Sequence, residues 1–190
     1  MIRKGIVIIS IISILIIAYT IGCVENSDDE DIILTVNFED YSKEYSLNEL
    51  KSIDDYSGTG RIIKSKLLPD TVEIEESINY SGVRMNKLLE EIPDLPNNYS
   101  INVISSDDYI KTFTKENVEG NVYVYNEEGI VLPNETAVMI IAYKENGEYY
   151  SDFDPNNEIG PLRIAFVEDN VITASNQWSK MVVSIEIISV

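Results

Sequence analysis

In the segment DFDPNNE, oxygen-bearing side chains alternate with other residues. They are Asp152, Asp154, Asn156 and Glu158. Oxygen ligands at alternate positions are typical of calcium-binding loops. An EF-hand loop also needs a glycine at its sixth position and a glutamate at its twelfth, but Asn157 and Arg163 stand there. The pattern therefore specifies a calcium site poorly, and a polar loop turned by Pro155 is the favoured interpretation.

Two residue types that often serve in nucleophilic and acid–base catalysis, histidine and cysteine, are absent or nearly so. The chain has no histidine and a single cysteine, Cys23, which excludes Ser-His-Asp triads, Cys-His pairs and imidazole metal sites. Cys23 has no partner for an intramolecular disulfide. Acidic pairs such as Glu90-Glu91 are adjacent in sequence, and adjacency does not make them a general acid–base couple. The sequence predicts no catalytic residue.

The overall charge is strongly negative. The chain has 14 basic and 33 acidic residues and a formal net charge of -19. A surface of this sign repels nucleic-acid phosphates and disfavours docking on anionic lipids through basic patches. We therefore expect no nucleic-acid partner.

The N-terminal residues have the layout of an export signal. Arg3 and Lys4 precede an apolar run over residues 6–21, and Gly22-Cys23 follows. This is typical of a lipoprotein signal peptide, 1–22, cleaved to leave Cys23 as the lipidated residue. The alternative is an uncleaved membrane helix. Both place the rest of the chain outside the cytoplasm, at the outer face of the cell membrane.

An acidic tether and one domain follow the leader. Residues 23–31 are rich in aspartate and glutamate, which keeps such a segment extended and solvated, and residues 32–190 form the predicted domain. In an exported protein, three Asn-x-Ser/Thr sequons are candidates for glycosylation. They begin at Asn79, Asn98 and Asn134.

Strands predominate among the secondary-structure elements predicted for residues 32–190. Strand patterns occur at 32–38 and 71–78, on both sides of the Asp107-Asp108 turn, before the Asn146-Gly147 turn, and in the last two segments, PLRIAFVEDNVITA and WSKMVVSIEIISV. Asn-Gly is a strong hairpin signal. Residues 52–61, rich in glycine and serine, predict an exposed loop.

Two helices are predicted between the strands. Ser46 with Glu49 three residues later is a capping box, which predicts a short helix. Apolar residues then recur at helical spacing from Met85 to Ile92, ahead of Pro93. The pattern indicates an α+β domain with a mostly antiparallel or mixed sheet and two or three short helices.

Several short motifs follow one another in this domain. They are Tyr80, Gly82 and Val83 before Leu88-Leu89; Ser105, Ser106, Asp107 and Tyr109; Gly160, Pro161, Leu162 and Arg163; and Trp178. Over residues 32–190 their order resembles the molybdopterin-binding domain of the sulfite oxidase family. The resemblance implies a compact α+β fold whose loops grip a pterin-dithiolene cofactor. The implied ligand-binding positions are Ser105, Ser106, Asp107, Tyr109, Gly160, Pro161, Arg163 and Trp178.

The chain also departs from that family. The family's enzymes bind molybdenum through a cysteine thiolate, whereas Cys23 lies outside the matching region. Asp108, Ile159 and Gln177 replace two glycines and a lysine of the family pattern. These departures predict a divergent member without a cofactor, although the resemblance keeps molybdopterin as the alternative.

Arg163 and Trp178 have structural interpretations. Arginine is costly to bury unless it is paired, so we expect Arg163 to form an ion pair with a loop acid. The candidates are Asp107, Asp108 and Glu158. A single tryptophan beside an apolar strand predicts a core position for Trp178.

Three functional hypotheses follow. The first is an exported, membrane-anchored lipoprotein whose non-catalytic domain binds a small ligand or another envelope protein, or has a structural role. The second is a molybdopterin-dependent oxidoreductase without the cysteine ligand. The third is a calcium-stabilised surface protein, which melting with and without a chelator tests.

Overall fold

The computed structural model describes residues 31–65, 72–154, 156 and 158–190. The predicted leader, Cys23 and nearly all of the predicted tether lie outside the described residues. The strands are β1 (Ile32–Phe38), β2 (Tyr41–Ser46), β3 (Tyr56–Ser65), β4 (Val72–Ile74), β5 (Ile78–Arg84), β6 (Tyr99–Ser105), β7 (Ile110–Thr114), β8 (Val124–Tyr125), β9 (Val131–Leu132), β10 (Val138–Glu145), β11 (Glu148–Tyr149), β12 (Arg163–Val167), β13 (Val171–Ala174) and β14 (Val182–Ser189). The helices are α1 (Leu47–Ile53), α2 (Met85–Leu89), α3 (Lys115–Val118) and α4 (Tyr150–Phe153).

The predicted α+β class is confirmed, with mostly strand content. The described residues contain four short α-helices rather than two or three. They also form two sheets, where the sequence suggested one. Both sheets are mixed and mostly antiparallel, because each contains one parallel pair, β1 with β14 and β3 with β13.

The first sheet has the order β2-β1-β14-β6-β7. β6 alternates fully between buried and half-buried positions, which is the pattern of a strand with one face on a core. The register brings the start of β14 beside the end of β6, where Val182 pairs with Ser105. The β6–β7 turn therefore lies at the same end of the sheet as the start of β14.

The second sheet has the order β11-β10-β5-β3-β13-β8-β9, with β12 also on β10 and β4 also on β3. It curls round on itself. Thr59 of β3 exchanges two backbone hydrogen bonds with Glu168, just after β12, at 2.8 and 3.1 Å. Strands β3, β5, β10 and β12 therefore form a closed, barrel-like unit.

A single apolar core joins the two sheets. The rings of Phe113 in β7 and Phe166 in β12 lie 6.1 Å apart across it. The apolar positions predicted for the second helix are all buried, although α2 ends at Leu89 and not at Pro93. Trp178 is 7% exposed, which confirms its predicted core position.

Two local predictions are confirmed. The Ser46 side chain accepts the Glu49 N–H, and the Glu49 carboxylate accepts the Ser46 N–H at 2.8 Å, so the capping box starts α1. Asn146 and Gly147 have φ values of 50° and 87° between β10 and β11. Positive φ at both central residues is what a tight two-residue hairpin requires.

The prediction of an exposed loop over residues 52–61 was wrong. Strand β3 begins at Tyr56 and continues to Ser65. Its glycines allow close packing: a Cβ on Gly60 would lie 2.5 Å from the Phe166 carbonyl oxygen. Glycine here marks close backbone approach and not a turn. The strand predicted over 71–78 is interrupted, because only β4 and the first residue of β5 have strand structure among its described residues.

Candidate functional site

Residues 174–180, between β13 and β14, border several surface depressions. A 3-10 turn at Ser175–Gln177 reverses the chain there, and the Trp178 indole N–H donates to the Thr173 hydroxyl at 2.8 Å. This bond anchors the ring to β13. The segment thus has a fixed side chain at its centre and open space around it.

The first depression, which we call the arginine cleft, has a volume of about 500 Å³. Isoleucines from β3, β5 and the chain before β12 supply its apolar lining. Its charged lining residues are Lys64, Glu75, Glu145, Arg163 and Lys180. Apolar walls with a few charged groups are typical of small-molecule sites.

Arg163 lies against two aromatic rings in this cleft. Its guanidinium carbon is 5.4 Å from the ring centroid of Tyr80 and 5.1 Å from that of Trp178. These distances suit cation–π contact. The side chain is 14% exposed, and its Nε is buried without a hydrogen-bond partner among the described residues.

The prediction that Arg163 pairs with Asp107, Asp108 or Glu158 was wrong. Its partner is Glu145, with Nη1 3.4 Å from Oε2. The register explains this: Arg163 pairs with Ala142 of β10, so the C-terminal end of β10 lies beside it. Asp107 and Asp108 are exposed in the β6–β7 turn of the other sheet.

Two tyrosines near Arg163 are held in the neutral form. Burial raises the pKa of Tyr80 to about 12, despite the opposing charge of Arg163. Burial also raises the pKa of Tyr150, whose hydroxyl lies 3.5 Å from Glu145 Oε2. Both phenols can donate hydrogen bonds at neutral pH, and neither is poised to act as a base.

A second depression, the turn cleft, adjoins the arginine cleft and has a volume of about 260 Å³. The two share Ser175, Trp178, Ser179 and Lys180. Ser105 is buried on its floor and donates to the Lys180 carbonyl at 2.7 Å. At its rim, the Asp107 carboxylate accepts the backbone N–H of Tyr109. Tyr109 itself is 53% exposed.

The structure thus brings together five of the eight positions implied by the resemblance. Ser105, Asp107, Tyr109, Arg163 and Trp178 all line one of the two clefts. The other three do not line them. Ser106 is exposed and donates its N–H to Met181, Gly160 packs against Tyr150, and Pro161 follows it.

The suggested calcium residues are not arranged around a common point. Asp152, Asn156 and Glu158 are exposed, whereas Asp154 is buried. Both carboxylate oxygens of Asp154 accept backbone N–H groups, from Glu158, Ile159 and Gly160 at 2.7–2.9 Å. In the described part of the chain, no group of three or more acidic, cysteine or histidine residues is placed to hold a metal ion. This arrangement gives the calcium hypothesis no support.

The Asp154 hydrogen bonds also set its ionisation. Burial alone would raise the pKa of this carboxyl, but the N–H groups of Gly160, Ile159 and Glu158 together hold the pKa below its usual value. Asp154 therefore stabilises, as an anion, the backbone that leads into β12.

The residues of the two clefts do not fit a thiolate-bound molybdenum centre. The chain's only cysteine is Cys23, which precedes the domain. Across both clefts, the cations Lys64, Arg163 and Lys180 are balanced by the carboxylates Glu75, Asp107 and Glu145. A cofactor phosphate needs an excess of positive charge or aligned donors, and Arg163 and Lys64 are already paired with Glu145 and Glu75.

Sequence reasoning missed several lining residues. It named Arg163 among the implied ligand-binding positions, but Lys64 and Lys180 also line the arginine cleft. Lys180 lies two residues after Trp178, and that proximity was the available signal. No signal in the sequence pointed to Glu145 or Lys64, because the pairing of distant strands brings them to the cleft.

No helix within the described ranges combines the length and apolar character that crossing a membrane requires. Comparison with known proteins gives no assignment: no protein-family model matches this chain, and no curated protein matches it.

Proposed function

We propose that this protein is an exported lipoprotein, anchored through Cys23, whose α+β domain is a non-catalytic module that binds a small ligand or an envelope partner. The arginine cleft carries the proposal. It offers about 500 Å³ of space with a guanidinium in contact with the rings of Tyr80 and Trp178. Such an arrangement suits recognition of a planar or polar group.

The charges of the cleft favour binding over redox chemistry. A molybdenum enzyme of the sulfite oxidase type depends on its metal ligand and on a site for the cofactor phosphate. This domain has no thiolate to offer, and carboxylates stand beside two of its three cleft cations. A ligand that is neutral or carries one negative charge meets the smallest electrostatic cost there.

The alternative is a molybdopterin-dependent oxidoreductase that lacks the cysteine ligand, on a sulfite-oxidase-like fold. One observation favours it: five residues named by the family resemblance line two adjoining clefts. This convergence also supports the proposal that the domain has that family's fold, with or without its cofactor.

Metal and pterin analysis of native protein separates the two functions. The protein is purified from its own host, which rules out loss of a cofactor that another host cannot make. Molybdenum is measured by mass spectrometry, and pterin by fluorescence after oxidation. We expect the amounts of molybdenum and of pterin to be well below one per chain. Stoichiometric amounts of either would overturn the non-catalytic proposal.

Detergent partitioning tests the anchor separately. Wild-type protein should enter the detergent phase and carry a lipid mass on Cys23, whereas Cys23→Ser should lose the lipid mass. If wild-type protein retains an unprocessed N-terminus, the leader is a membrane helix and the lipoprotein proposal fails.

A further inference from the structure

A third depression, which we call the amide cleft, has a volume of about 790 Å³. It lies between residues 117–123, around the end of α3, and residues 131–136, from β9 onward. Gln177 of the 3-10 turn also lines it. It shares no lining residue with the arginine cleft or the turn cleft, so it is a separate site.

Carboxamides dominate the polar lining of the amide cleft. They are Asn117, Asn121, Asn134 and Gln177. Glu135 is the only charged lining residue, in a chain with a net charge of -19. The Asn117 carboxamide is already engaged, because its Oδ1 accepts the Thr114 N–H and its Nδ2 donates to the Asn121 carbonyl. The other three carboxamides can both donate and accept hydrogen bonds, which suits hydroxyl groups because these do the same. The lining therefore selects a neutral, polar ligand over an ion.

The cleft also offers an aromatic face. Tyr123 is 66% exposed and lies beside Val131, Leu132 and Pro133. The side chains of Tyr123, Asn134 and Thr136 make no hydrogen bond with another described residue, and their polar groups are available to a ligand. An aromatic ring next to amides can pack on the C–H face of a ring whose hydroxyls bond to the amides.

The walls of the cleft are held in place by backbone bonds. Val124 of β8 pairs with Leu132 of β9, and the Ala137 N–H donates to the Gly120 carbonyl at 3.1 Å. Gly120 has φ 92° and packs directly on Ala137, which joins the two walls. A site fixed in this way loses little entropy when a ligand binds.

Gln177 supplies an independent sign of incomplete hydrogen bonding at this cleft. Its Oε1 is buried and has no hydrogen-bond partner among the described residues. Buried acceptors are rarely left unpaired in native proteins. Because this oxygen is buried, a ligand donor reaches it only when the Gln177 side chain turns toward the cleft, and that contact would remove the cost.

We infer that the amide cleft binds a neutral saccharide. Vicinal hydroxyls of a sugar match the donor and acceptor pairs of the carboxamides, and the apolar face of a sugar ring matches Tyr123. Acidic saccharides fit poorly, because Glu135 lies in the cleft and the whole chain repels anions. This inference does not depend on the function proposed for the arginine cleft.

Titration with defined sugars tests the inference. The probes are the neutral trisaccharides maltotriose, cellotriose, mannotriose and N,N′,N″-triacetylchitotriose, and the acidic trigalacturonic acid. Full-length protein in a sugar-free detergent is made in a host without N-glycosylation, because Asn134 begins a sequon and a covalent glycan there would lie in the cleft. We expect saturable calorimetric binding of at least one neutral trisaccharide and none of the acidic one. Absence of neutral binding at millimolar concentrations, or equal binding of the acid, overturns the inference.

Substitutions locate the binding on the molecule. Tyr123→Ala should raise the dissociation constant about 2- to 10-fold, as expected for loss of one aromatic contact. The matched control is Ile130→Ala, since Ile130 is 61% exposed on the β8–β9 hairpin and does not line the cleft. Unchanged binding by Tyr123→Ala, or an equal loss in Ile130→Ala, contradicts the assignment. Line broadening of the Tyr123 ring resonances in wild-type protein tests the same contact without a substitution.

Discussion

At the scale of single residues, Arg163 and Asp154 are two ionic groups of low exposure that are stabilised in different ways. Arg163 keeps one carboxylate partner, Glu145, and two aromatic faces. Asp154 forms no ion pair with another described residue and relies on three backbone N–H donors. Both groups stabilise the region where the chain enters β12, and each makes a separate prediction.

Loss of the Glu145 charge should destabilise the fold. In Glu145→Gln, the guanidinium of Arg163 stays largely buried without a countercharge. We expect a loss of about 1–3 kcal/mol in the free energy of unfolding, between the values for exposed and fully buried pairs. Urea denaturation measures it. Glu148→Gln, exposed on the same hairpin, is the control, and equal effects would show that the ion pair contributes nothing.

Loss of the Asp154 charge should produce a pH-dependent change in stability. Since its pKa is lower in the folded protein than the ordinary value of 3.8, its contribution is present above that pH and is lost as the pH falls through the folded value. Asp154→Asn should therefore cost about 1–3 kcal/mol at neutral pH, and the difference from wild type should narrow in acid. Urea denaturation over a pH series measures this. If the difference in unfolding free energy between Asp154→Asn and wild type stays constant with pH, the pKa shift is contradicted. The control is Asp152→Asn, at an exposed position nearby, which should behave as wild type.

At the scale of elements, glycines decide how closely the strands of the second sheet approach. Gly82 of β5 pairs with Ala142 of β10 at a bulge. A Cβ there would collide with the Ile141 carbonyl oxygen. Strand β5 also carries Tyr80, whose ring centroid lies 5.3 Å from that of Trp178. The glycine thus links strand spacing to the shape of the arginine cleft.

Gly82→Ala should displace β5 and alter the environment of Trp178. We expect destabilisation of about 1–3 kcal/mol from overpacking, together with a shift in the fluorescence of the chain's single tryptophan. Gly147→Ala is the control: it strains a residue at φ 87° but its Cβ would meet no atom within 4 Å. If Gly82→Ala destabilises the protein without an emission shift, the displacement of β5 does not reach Trp178.

At the scale of the whole molecule, the first sheet sets which end of the domain lies nearest the proposed anchor. β1 and β14 are parallel, with Thr35 beside Ser184, and Val182 pairs with Ser105 of β6. The first residue of β1 is therefore about 10 Å, or two strand spacings, from the β6–β7 turn. Residues 23–31 span at most about 30 Å when fully extended. On the proposed topology, we expect the turn cleft to face the membrane.

Labels at the two ends of this sheet test that orientation. Ser106→Cys and Asp40→Cys each place a fluorophore at an exposed turn, and the turns lie at opposite ends of the sheet. In lipid vesicles we expect more efficient energy transfer to a lipid acceptor from position 106 than from position 40. Equal transfer would indicate that the tether lets the domain rotate freely, and the reverse order would show that the opposite end faces the lipid.

The sequence by itself determined the features that depend on near neighbours. The capping box joins residues three apart, the Asn146-Gly147 turn needs only positive φ at two positions, and the strand pattern of β6 follows from alternation along one segment. It also indicated the α+β class and the core position of Trp178. These signals are local because helix caps, turns and strand periodicity are satisfied within a few residues.

Only the tertiary structure decided which distant residues meet. It made β3 a strand where glycines suggested a loop, divided the strands into two sheets, and paired Arg163 with Glu145 in place of a loop acid. It also brought Lys64 and Lys180 to the same cleft. Such contacts depend on strand register across the sheets, and register is set by the packing of the whole core, which no short segment encodes.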